Sequence, residues 1–79
     1  LINAFYSRAY WKELEGDING AITDYKKVIE IDSQYKEAYI GLATAMYKNN
    51  QKNEACDILK LADEKGNLQA EALLEKLCK

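Results

Sequence analysis

The chain contains no histidine and no proline among its 79 residues, and only two cysteines. Without histidine, the commonest general base and the commonest metal ligand are missing. Without proline, nothing removes a backbone donor inside a helix, so a helical chain is expected. The apolar runs are three or four residues long at most, far short of the ~20 that a membrane-spanning helix needs, and no membrane insertion is expected. Neither charge sign dominates: 11 basic against 13 acidic side chains leave a net charge of −2. The basic stripe of a nucleic-acid binder and a polybasic membrane patch are therefore both lacking.

What remains is ordinary globular material, 48% hydrophobic and 30% charged, in a length that makes one small domain. The chain opens Leu1-Ile2-Asn3, with neither an initiator methionine nor a basic leader, and is expected to be a fragment of a longer protein. No cofactor is expected, and nothing in the sequence indicates a compartment.

A single numbering step organises the residues. Ala4 and Ala38, Ala9 and Ala43, Ala21 and Ala55, and Glu30 and Glu64 are each 34 apart, and Phe5/Tyr39, Tyr25/Leu59 and Val28/Ala62 follow the same step. Within each copy the apolar spacing is helical: Ile2, Phe5, Tyr6, Ala9, Tyr10 and Leu14 form one stripe, and Ile18, Ala21, Ile22, Tyr25, Val28 and Ile29 the next. Gly16-Asp17 breaks the first pair, with Asp17 a good N-cap, and Asp32-Ser33 closes the unit. The second copy runs through Tyr39, Leu42, Ala43, Met46 and Tyr47, turns at Asn49-Asn50, and continues with Ala55, Cys56, Leu59 and Ala62. Gly66-Asn67 then stops a helix, and Leu68 to Leu77 makes one more, so five helices are expected. Ala9, Ala21, Ala43 and Ala55 allow close helix approach, while Phe5, Tyr25, Tyr39 and Leu59 fill the gaps. Glu71, Glu75, Lys76 and Lys79 give the last helix a polar outer face, as the end of a repeat array requires.

These residues resemble tetratricopeptide repeats, on Gly16-Asp17, Ala21-Ile22, Tyr25 and Ile29-Glu30-Ile31-Asp32 in the first copy and Ala38-Tyr39, Leu42-Ala43, Tyr47, Ala55, Leu59 and Ala62 in the second. The resemblance implies an all-α solenoid of stacked helix-turn-helix units in a right-handed superhelix: repeat 1 over about 2–34, repeat 2 over about 35–66 and a capping helix over about 67–79. Arg8 and Lys12 depart from it, standing where the family has small or apolar residues, and Gly20 sits inside a helix at a cost of roughly 1 kcal/mol.

The resemblance also implies a groove lined by the first helix of each pair: Asn3, Tyr6, Ser7, Tyr10, Glu13 and Leu14, then Glu37, Ile40, Gly41, Thr44, Tyr47 and Lys48. Tyr6 and Tyr10 lie one turn apart, with Tyr47 expected to approach from the neighbouring helix. These tyrosines suit an aromatic binding wall, and equally suit packing of helix on helix. Family members that hold the carboxylate tail of chaperones use a basic clamp; the corresponding positions here are Tyr6, Tyr10, Gly41, Glu71 and Glu75, so that ligand is not expected.

Cys56 and Cys78 are symmetric about the Gly66-Asn67 turn, which sets them almost opposite in an antiparallel helix pair. A disulfide is feasible, although two buried thiols serving as small apolar residues are the favoured reading. Glu13, Glu15 and Asp17 read as a solvated acidic cluster, with Asp17 capping a helix. The scattered glycines form no phosphate-binding loop. The expected function is a non-catalytic scaffold that binds a peptide or protein segment. The alternative is a structural module that packs against the rest of its parent protein or self-associates through its first helix.

Overall fold

A computed structural model describes residues 2–78, so Leu1 and the predicted surface residue Lys79 lie outside it. Five helices follow one another: α1 (Ile2–Leu14), α2 (Ile18–Ile31), α3 (Lys36–Lys48), α4 (Lys52–Glu64) and α5 (Leu68–Leu77). The bounds of α3 are those of α1 moved on by one repeat step, and α4 starts one such step after α2. Each helix packs on the next, and α1 also touches α3. The result is an all-α solenoid of helical hairpins, with no strand among the described residues.

One terminating device is used three times. The chain takes a left-handed residue at Gly16 (φ 92°), Asn50 (φ 63°) and Gly66 (φ 85°). The next residue then donates its backbone N–H back into the helix: Asp17 to the Lys12 carbonyl, Gln51 to Met46 and Asn67 to Ala62, at 2.8, 2.8 and 3.1 Å. These bonds satisfy carbonyls that a helix end leaves orphaned. The helices that follow are capped where the sequence permits: the Asp17 carboxylate accepts from Gly20 N–H, and the Asn67 amide oxygen from Gln69 and Ala70. Gly20 is explained by that cap, because a Cβ there would collide with the Asp17 carboxylate. Asn67 also donates to the Lys36 carbonyl at 3.2 Å and so ties the start of α5 to the start of α3.

The four interhelical alanines are buried, Ala9 and Ala21 completely. Tyr25, Tyr39 and Leu59 fill the spaces between them as expected. Phe5 does not; it is half-buried beneath the Arg8 guanidinium, 5.4 Å from its ring centre. The apolar stripe read along α1 is likewise only partly inside, since Ala9 is its single buried residue while Tyr10 and Leu14 stand exposed, as does Trp11 outside the stripe.

The departures at Arg8 and Lys12 have a partner in Asp24, which is 3% exposed on α2. Arg8 grips both carboxylate oxygens at 2.7 and 2.9 Å, and Lys12 adds a contact at 3.3 Å. Arg8's hydrogen bonds hold the Asp24 carboxyl below its ordinary range against the opposing pull of burial, with Lys12 helping. The repeat itself rationalises the trio: in the second copy the positions of Arg8, Lys12 and Asp24 are filled by Leu42, Met46 and Ile58. An ionic cluster in the first unit thus stands where the second has an apolar one.

Cys56 and Cys78 are joined in a disulfide with Cα atoms 5.9 Å apart. The favoured reading of two free thiols is thereby corrected: the antiparallel α4–α5 hairpin brings the two positions within bridging distance.

Candidate binding cleft

The first helices of the hairpins, α1 and α3, leave a cleft of about 340 Å³ between them. Tyr6, Tyr10 and Glu13 line it from α1, and Glu37, Ile40, Gly41 and Thr44 from α3. Two further residues escape a reading of the sequence: Tyr25 of α2, and Gln69 from the first turn of α5. The sequence pattern gives Tyr25 a packing role alone. It faces the cleft because Gly41 opposite carries no side chain: a Cβ there would lie 2.6 Å from Tyr25 Cζ. No sequence signal distinguishes Gln69, whose position depends on how α5 docks.

Of the other predicted groove residues, Asn3, Ser7, Leu14, Tyr47 and Lys48 do not line the cleft. Asn3 accepts a long 3.4 Å hydrogen bond from the Tyr35 hydroxyl, while Ser7 is exposed. Leu14 and Tyr47 are exposed at 59% and 39%. The aromatic neighbours of Tyr6 are Tyr25, edge-on at 5.8 Å, and Tyr35, tilted at 5.4 Å, and not the Tyr47 expected from the next helix. Packing and lining are therefore both tyrosine roles here: Tyr6 is half-buried against two rings, and Tyr10 is 52% exposed.

Glu13, expected to be solvated, is instead the polar hub of this face. One carboxylate oxygen accepts from the Tyr25 hydroxyl at 3.1 Å, and the other contacts Lys48 Nζ at 2.7 Å. Its side chain is 10% exposed. One carboxylate thus links α1, α2 and α3, and occupies the cation at the edge of the cleft. Burial, then the Glu13 charge and hydrogen bond, push the Tyr25 hydroxyl far above its ordinary pKa. Burial raises Tyr6 as well, with Tyr35, Glu37 and Glu13 adding to it. Both phenols remain neutral hydrogen-bonding groups over the physiological range.

Helical hairpins recurring at one fixed numbering step, closed by repeated left-handed turns and leaving a cleft between their first helices, are matched by the tetratricopeptide repeat family model over residues 14–77. The chain belongs to the tetratricopeptide repeat family. Tetratricopeptide repeats are non-catalytic modules that typically mediate protein–protein interaction. No curated protein matches the chain. No helix among the described residues is long and apolar enough to cross a membrane. The α1 residues ahead of Leu14 fall outside the matched span, which is where the polar Arg8 and Lys12 replace apolar repeat positions.

Gly41 gives the cleft its most direct test. Gly41→Ala gains roughly 1 kcal/mol of helix propensity but forces the buried Tyr25 ring to move, at a cost of about 1–3 kcal/mol. The expected outcome is a net loss of stability in urea unfolding, with Tyr25 fluorescence or ring NMR signals shifted. A variant more stable than the parent would show that the two helices have room to spare.

Proposed function

We propose that this tetratricopeptide repeat unit is a non-catalytic scaffold that holds a peptide or protein segment in the cleft between α1 and α3, with repeats at about 2–34 and 35–66 and a cap at about 67–79. The observation that supports the reading is the half-open aromatic wall: Tyr6 is fixed by neighbouring rings, and Tyr10 is 52% exposed beside Ile40. A rigid ring already held in place loses little entropy when a ligand covers it, which is why tyrosine recurs at binding hot spots. Tyr47 and Lys48 lie outside the cleft and act at its rim, with Glu13 and Glu37 setting orientation.

The reading is tested with peptides selected from a randomised display library on the immobilised chain. Tyr10→Ala is expected to weaken the selected peptides about tenfold or more, and Tyr6→Ala with Tyr10→Ala further still. Circular dichroism checks that both variants fold. Affinity that survives both substitutions unchanged places binding somewhere other than this cleft.

A specific observation favours one second reading, packing through the first helix. Trp11 and Leu14, one turn apart on α1, are 63% and 59% exposed, an apolar pair that a partner surface could cover. Sedimentation equilibrium across concentration separates the two: a dimer that Trp11→Ala dissolves supports association through α1, and a monomer at all concentrations removes self-association.

A further inference from the structure

We infer that the cleft selects a protein segment carrying a lysine or arginine side chain; the inference rests on the cleft being the binding site. Its lining includes two carboxylates, Glu13 and Glu37, and no lysine or arginine. Lys48, at the edge of the cleft, is already paired with Glu13 at 2.7 Å. Glu37 makes no ion pair among the described residues, so the charge that these residues give the cleft lining is net negative. An acidic side chain entering it would meet a like charge, and a basic one its complement.

The apolar lining fits the same class of side chain. Ile40 offers apolar surface to a methylene stem, while the exposed Tyr10 ring offers a π face to the cationic head. A long amphipathic cation uses every part of this wall: the stem lies on the apolar surface, and the head lies between ring and carboxylate. Most of the affinity then comes from apolar burial, and the charge decides which segments are accepted.

The test uses two acetylated and amidated heptapeptides with one apolar framework, one carrying lysine at its centre and the other glutamate. Each is titrated into the isotope-labelled chain and followed by amide NMR shifts. The lysine peptide is expected to move the Tyr6, Tyr10 and Glu37 amides and to bind about fivefold more tightly than the glutamate peptide. That ratio should shrink at high salt and approach unity in Glu37→Gln. Equal binding of both peptides at the same amides overturns charge selection while leaving the cleft as a binding site. A preference that persists in Glu37→Gln also overturns the inference, because the selectivity would then come from elsewhere. Shifts confined to other surfaces, or none with either peptide, remove the cleft reading and the inference together.

Discussion

Replacing Cys56 by serine, or reducing its bond to Cys78, is expected to cost about 3 kcal/mol of stability, because the bond closes a loop of 22 residues in the unfolded chain. For a domain of this size that corresponds to a fall in Tm of roughly 15 °C. The loss should concentrate in α5. That helix has only ten residues, Ala70 is its single buried one, and its start is held by the Asn67 cap and the bond to Lys36. Its far end is held by the disulfide. Hydrogen exchange should therefore accelerate first between Leu73 and Leu77, and the cleft should lose the wall that Gln69 supplies. Thermal melts with and without reductant measure the total. Superimposable melts would mean that packing of Leu73 and Leu74 alone secures the cap.

The second large effect is expected from Asp24, and its sign depends on which partner is removed. Deleting both cations, as Arg8→Ala with Lys12→Ala, strands a carboxylate that is 3% exposed, and Tm should fall by roughly 10 °C. Exchanging all three residues for their counterparts in the second repeat, as Arg8→Leu, Lys12→Met and Asp24→Ile, removes the charge and its desolvation together. That variant should be as stable as the parent or more so, since well-packed apolar groups commonly replace a buried ionic cluster without loss. A triple variant that unfolds more readily than the double one would show that the first hairpin cannot close around an apolar patch.

Acid dependence distinguishes the same variants. In the parent, Arg8 holds the Asp24 carboxyl below its unfolded value, so its contribution is present above about pH 4 and is lost as pH falls through the lowered folded value. In the double variant only burial remains, which raises the carboxyl. Its folded form is then favoured below the unfolded value and penalised as pH rises, so mild acid should stabilise the variant while it weakens the parent.

Much of this molecule is legible without coordinates. The numbering step, the alanines at close contacts and the turn residues at Gly16, Asn50 and Gly66 are local or periodic signals, and they place the helices and the hairpin stacking. The resemblance to the repeat family also implies Tyr6, Tyr10, Glu37 and Ile40 as groove positions, and these line the cleft. Reading beyond that fails where the answer depends on distances between elements. Glu13 reads as one member of a solvated acidic run until α2 and α3 bring Tyr25 and Lys48 onto it. Asp24 sits among the apolar positions of α2, yet only the approach of Arg8 and Lys12 from α1 explains why a charge is tolerated there.

The amino-acid order by itself determined that this chain forms paired helices of repeat type, because helix periods, caps and small-residue contacts act over a few neighbouring positions and recur at a fixed interval. Only the tertiary structure decided that Cys56 and Cys78 are joined, that Tyr25 and Gln69 complete the cleft and that Lys48 at its edge is paired with Glu13. Those are matters of a few ångströms between helices distant in sequence, set by how all five pack at once, and no local pattern encodes them.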